Sequence, residues 1–273
     1  LMQEHIFDPL NMRYSTFDPT VAMTYALAHS HDLNDDGTLS VQHRFGDNVA
    51  GYPSGSVISN VTDLAHFAVM LLHAGHFGDG QILSPNSVRQ MQTLQGDMMT
   101  VSGAGYGLTL SLDHVQGVQR VGHQGAVGTY GSILTMLPET KRAVIITCNR
   151  AFGFWDRLYE IVDHIILEWL DPPKIQPAPP TISPEKSHWS GYTGYYVGQL
   201  RGLVKISAEQ DSLMLEWHGE KMALQAHRPH VYFGKLGEVT LSVGFVPETA
   251  GPTQYIMLNG APCQRIEYAL PIL

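Results

Sequence analysis

The chain has 273 residues, near the size at which one hydrophobic core gives way to separate domains. Hydrophobic residues supply 44% and charged residues only 15%, enough for a buried core and against a disordered chain. A net charge of −9 offers no basic footprint for nucleic acid or an anionic membrane.

The opening LMQEHIFDPLNM starts as if already inside a helix that DPLNM closes. It lacks the basic start, apolar stretch and small-residue cleavage site of a signal peptide, so the expectation is a chain cut from something longer. Residues up to 50 otherwise read as loop, with a polar turn in HDLNDDGTL (31–39). Two helices follow. In SNVTDLAHFAVMLLHAG, Ser59 is the expected N-cap, Leu64, Phe67 and Leu71 share a face, and Gly75 is the expected C′ residue. In LSPNSVRQMQTL, Ser84 caps and Pro85 takes the first helical position, where its missing N–H costs nothing. Strands are expected at 106–112, 120–125, 129–137 and 142–148, the last two joined as a hairpin by LPETK. DRLYEIVDHIILEWL (156–170) spaces Leu158, Ile161, Val162, Ile165, Ile166, Trp169 and Leu170 as one apolar stripe that should pack on the sheet.

Residues 171–186 hold six prolines in sixteen positions, a semi-rigid linker rather than helix or central strand. Beyond it, eight short β-rich runs from YTGYYVG to CQRIEYA alternate with turns, the pattern of a small antiparallel barrel or sandwich. Cys148, in AVIITC, is expected as a buried core thiol, and two distant cysteines make no disulfide framework. No apolar stretch approaches the ~18 residues that a membrane-spanning helix needs.

Several motifs carry possible chemistry. HDLNDDG places Asp32, Asn34, Asp36 and Gly37 as in the first half of an EF-hand loop, but His43 stands where a bidentate Glu is needed, so a solvated turn is expected. His29 and His31 lack a third spaced ligand, and no metal is expected there. Ser183-Pro184-Glu185-Lys186 matches Ser-x-x-Lys, yet it ends a proline-rich linker where no core would enclose it, and Ser183 is expected to cap a short turn. No Gly-x-Ser-x-Gly elbow occurs. GHQGAVG (122–128) begins a strand, and Gly125 and Gly128 leave room for a backbone or ligand to approach. Spacing alone favours a structural His123.

The ordered series IFDPLNMRYSTF, GYPSGSVISNVTDLAHFAVMLL, QILSPNSVRQM, GYGLTL and GHQGAVGTYGSILTMLPETKRAVIITCN resembles the C-terminal half of the β-lactamase-related serine hydrolases. That superfamily includes class C β-lactamases, DD-peptidases, D-aminopeptidases and esterases. The resemblance implies a third motif at His123 and Gly125. There His123 would bond substrate or aid proton transfer, and the backbone N–H of Ala126 would be one of two oxyanion-hole donors. The family's Ser-x-x-Lys and Tyr-x-Asn or Tyr-x-Ser motifs would precede residue 1, so no nucleophile is expected in this chain. WSGYTGYYVG followed by DSLMLEW resembles the start of the lipocalin-like domain often appended to these enzymes.

The expected fold is therefore α+β. Residues 1–170 would form an incomplete β-lactamase/transpeptidase-like antiparallel sheet with helices, 171–187 a linker, and 188–273 a small antiparallel barrel. Two functions follow. One is a serine hydrolase acting on a small amide, ester or peptide through an acyl-enzyme, without cofactor or metal, and completed by a missing N-terminal half or partner chain. The other is a non-catalytic binding or scaffold protein that keeps the cleft wall and the barrel.

Overall fold

A computed structural model describes residues 1–43, 48–150, 155–170, 179–199, 201–237, 239–247 and 251–267. It divides into two compact units, Leu1–Thr93 with Gly107–Lys174, and Leu94–Tyr106 with Ile175–Leu273.

The first unit opens on a π-helical turn, Gln3–Phe7, and the short α1, Pro19–Ala22. The region expected as loop then forms a hairpin of β1 (Ser30–Leu33) and β2 (Leu39–Gln42) around the polar turn. Asp36 Oδ1 accepts the Thr38 N–H at 2.9 Å and its hydroxyl at 2.6 Å, and Gly37 takes φ +82°. These bonds to Thr38 hold the Asp36 carboxyl below its usual range. The calcium-like spacing is thus an Asx-type turn.

Helix α2 is Val61–Leu72, and its cap is Asn60 rather than Ser59: Asn60 Oδ1 accepts the Asp63 N–H at 2.9 Å. Both residues are good caps, and Ser59 is diverted to a hydroxyl pair with Ser15 at 2.7 Å. At the other end Gly75 sits one residue later than expected, its N–H donating to Met70 O in a Schellman closure, while Ala74 takes the left-handed φ of +53°. A small hairpin, β3 (His76–Phe77) with β4 (Gly80–Gln81), leads to α3 (Pro85–Met91), capped by Ser84 as expected.

Strands β5 (Gly96–Asp97) and β6 (Gly105–Tyr106) belong to the second unit. The strand expected at 106–112 is broken. Gly107 N–H donates to Leu110 O, Thr109 takes φ +69°, and pairing resumes only at β7, Ser111–Val115. With β8 (Val118–Val127), β9 (Tyr130–Leu137) and β10 (Arg142–Cys148), β7 forms the antiparallel run β10-β9-β8-β7. Its two faces are both covered. Val121, Met136 and Ala143 stand in register and pack with Met70, Leu71 and Val88 of α2 and α3. The alternate residues Ile133, Leu137 and Val144 pack with Leu158, Val162 and Ile166 of α4, Trp155–Trp169. Ile161, counted in the apolar stripe, is instead 49% exposed. Cys148 is only half-buried, because it ends the strand at the rim of that cluster.

Residues 171–178 of the expected linker lie outside the described residues. Further on, Ile182 N–H donates to Ala226 O, and the chain enters α5, Trp189–Tyr192. Eight strands then close a barrel in sequence order: β11 (Gly194–Gly198), β12 (Gly202–Glu209), β13 (Ser212–Trp217), β14 (Glu220–Arg228), β15 (Val231–Leu236), β16 (Val239–Phe245), β17 (Tyr255–Leu258) and β18 (Ala261–Ile266). Each of the eight runs read from the sequence is one of these strands. Side chains fill the interior: Tyr192 stacks on Phe245 at 4.0 Å amid Tyr196, Leu213, Val243 and Ile256. Cys263 is buried in the same core, and burial raises its thiol pKa. Among the described residues no helix is long and apolar enough to cross a membrane.

Candidate functional site

The site is built at the far end of β8. Pairing with β7 runs only to Gly122, where Ser111 Oγ donates to Gly122 O at 2.7 Å. Residues 123–127 continue against β9, in the register His123 to Leu134, Gly125 to Ser132 and Ala126 to Gly131. The strand turns at Gly128, φ +58°, and Thr129. Position 122 admits no side chain, since a Cβ there would fall 2.1 Å from Leu134 O.

The β8–β9 tip, residues 125–132, walls a cleft of about 1240 Å³. The other walls are residues 24–28, 52, 54–60 and 147–149, with Tyr14 and Phe17. Tyr130 Oη donates to Ala28 O at 2.7 Å, and Asn149 Nδ2 donates to His29 O at 2.8 Å, so the walls are tied where they meet. Tyr14 and Tyr25 meet edge to face at 5.2 Å, and Phe17 packs on Tyr52 at 5.3 Å. Below them the buried Asp63 accepts the Tyr14 N–H at 2.7 Å and the Ser15 hydroxyl at 2.8 Å, anchoring this wall to α2. On the sheet side, Arg120 binds Asp113 through Nε and Nη2 (2.7 and 2.6 Å) and reaches Asp163 of α4 at 2.5 Å. Its hydrogen bonds to Asp113 raise the already high guanidinium pKa further.

Gly125 and Ala126 both line this cleft. His123 is exposed, shares the α2 face of β8 with Gly125, and is not among the lining residues. Its Nδ1 lies 2.6 Å from Gln124 O, a carbonyl that can only accept, so Nδ1 is the donor there. Two Tyr-x-Ser triplets at the cleft, Tyr52 with Ser54 and Tyr130 with Ser132, were legible in the sequence but not singled out. Tyr130 is committed to Ala28, and Cys148 is a lining residue as well.

The remaining motifs stay apart. Lys186 Nζ donates to Asp211 at 2.6 Å and lies over the Trp189 ring, all in the second unit, so its amine is engaged away from the exposed Ser183. The His29 ring meets His43 at 5.1 Å, and His31 Nδ1 lies 3.1 Å from Asn149 Nδ2. Among the described residues no group of three His, Cys, Asp or Glu side chains is arranged to hold a metal.

A beta-lactamase family model matches residues 1–163. Penicillin-binding protein 4 of Amycolatopsis lactamdurans is 27% identical over 195 residues, 67% of this chain and 51% of that protein. The chain thus spans about half the length of this curated relative. Among solved structures, SurE aligns with TM-score 0.67 at 21% identity, over 97% of this chain and 62% of its own. The octameric penicillin-binding protein homologue from Pyrococcus abyssi aligns with TM-score 0.51 at 20% identity, over 96% and 58%. The chain belongs to the beta-lactamase family.

Proposed function

We propose that this chain supplies one side of the active cleft of a serine hydrolase that cleaves an amide or ester through an acyl-enzyme. The observation that carries this is the placement of Gly125 and Ala126, in a segment covered by the family match, along an open cleft. In the proposed reaction the Ala126 N–H donates to the carbonyl oxygen as it gains negative charge, and His123 Nε2 takes part in positioning substrate or moving a proton. The serine and lysine would come from a polypeptide segment outside this chain. The Ser183 motif does not fit that role, because Lys186 is held by Asp211. The same fact also suits the second reading, a non-catalytic binding or scaffold protein that keeps the cleft wall and the barrel and never meets a nucleophile.

An active-site-directed fluorophosphonate or penicillin probe tests this. The chain alone should remain unlabelled, whereas a longer parent, or the chain together with a Ser-x-x-Lys partner, should be acylated on a serine outside residues 1–273. Labelling at Ser183 would sink the assignment, and so would a parent that no such probe acylates.

A further inference from the structure

Strands of a closed barrel alternate side chains inward and outward, and the outward ones ordinarily meet solvent. On β16, Leu241, Val243 and Phe245 belong to the barrel core, which leaves Ser242 and Gly244 facing out. Ser242 is nonetheless only 4% exposed. Its cover comes from the segment Leu94–Tyr106, which groups with the barrel although the sequence on both sides of it does not. Val101 N–H donates to Ser242 Oγ at 3.1 Å, and Asn259 Oδ1 accepts the Ser242 N–H at 2.7 Å. A Cβ at Gly244 would lie 2.2 Å from Met99 Cβ and 3.0 Å from Met99 O. A Cβ at Gly260 would lie 2.2 Å from Met98 Cε. Asp97 closes one end, its two oxygens accepting from Arg228 Nη2 at 2.9 and 2.7 Å. The same carboxylate accepts the Met99 N–H at 2.7 Å and so holds Met99 in a left-handed φ of +55° that a non-glycine residue rarely adopts.

We propose that the outer face of β16, with the β17–β18 turn and Arg228, is a peptide-binding groove that residues 97–101 fill as a ligand in cis. Its parts suit one class of peptide, an acidic residue followed by methionine. Arg228 takes the carboxylate, a side-chain-free notch at Gly260 admits the flexible Met98 thioether, Gly244 leaves room for the Cβ and carbonyl of the next residue, and Ser242 accepts a backbone N–H. The groove lies wholly in the second unit and does not depend on the hydrolase assignment.

Gly244 has no left-handed φ, so alanine fits the strand and acts only through Met99. In the whole chain, Gly244→Ala should make the Val101 amide exchange at least ~10-fold faster while the amides of β11 to β14 keep their protection. A chain whose residues 97–101 are replaced by glycine and serine should bind a synthetic peptide of residues 94–106 saturably. A peptide with Met98→Ser and Met99→Ser should bind at least ~10-fold more weakly. Undiminished Val101 protection in Gly244→Ala overturns the groove, as does equal binding of the two peptides. If the replaced chain loses its near-UV tyrosine signal, the exchange experiment alone decides.

Discussion

A methyl group added at Gly122 meets different surroundings from one added at Gly125, although both residues lie on β8. At 122 it would press on Leu134 O, a backbone atom of the paired strand; at 125 it would come 3.4 Å from Ser132 Oγ, the end of a side chain that can turn. Gly122→Ala should therefore cost about 1–3 kcal/mol, the usual range for overpacking. Gly125→Ala should cost less than about 1 kcal/mol, as for substitutions outside a crowded core. Urea denaturation of the two variants checks this, and equal losses would contradict it. Spacing pointed to Gly125 and Gly128 as the places of close approach, yet Gly128 serves the turn and the crowding falls on Gly122. Sequence could not show that, because the crowding atom arrives from β9. His123 is tested by its chemistry. In an active parent, His123→Ala should lower kcat/KM by roughly 10²-fold, the scale of a positioned acid–base group, with the melting temperature unchanged. Full activity in that variant would return His123 to a structural role.

Among the elements, α2 shows how one carboxylate holds a cleft wall. Asp63 is 3% exposed and answers two donors from residues 14 and 15, one of them a backbone N–H that has no substitute nearby in sequence. Asp63→Ala strands the Tyr14 N–H and leaves the Ser15 hydroxyl only its Ser59 partner, and should cost on the order of 3 kcal/mol. Ser15→Ala, which removes one donor to Asp63 together with the Ser59 pair but leaves the Tyr14 bond, should cost about half as much. Thermal melts of the pair give the comparison, and a cost for Ser15→Ala equal to that of Asp63→Ala would contradict it. Elements with strong local signals were legible: the Ser84–Pro85 helix start, the stripe of α4, and all eight barrel strands, whose alternation is punctuated by turn residues. The failures share a cause. Asn60 and Ser59 are chemically equal caps until Ser15 claims one, and the break between β6 and β7 arises where Gly107 must clear Met91 O by less than a side chain's width.

For the molecule as a whole, the sequence does not show that residues 94–106 group with the barrel. Val101 and Ser242 are 141 positions apart, and no local pattern announces the pairing. The make-up of the barrel core has a consequence at high pH. Tyr192, Tyr196 and Tyr232 are buried there together, and Tyr196 Oη donates to Tyr192 O at 2.6 Å. Burial pushes the Tyr196 phenol from 10.0 up to about 12 and raises Tyr192 and Tyr232 as well. A raised folded value means that the neutral phenol is the form the barrel keeps, while the unfolded chain releases the proton near 10.0. Below pH ~10 both states hold their protons and the stabilisation is fully present. From there to about pH 12 the unfolded state binds fewer protons, so stability falls as pH rises. The denaturation midpoint of the barrel should therefore hold steady up to about pH 10 and decline beyond it. Ionisation of these three phenols should accompany loss of the near-UV tyrosine signal rather than precede it. In a pH titration, complete tyrosinate absorbance from a barrel that still gives its native near-UV spectrum would show that the three phenols ionise in the folded state and do not limit its stability.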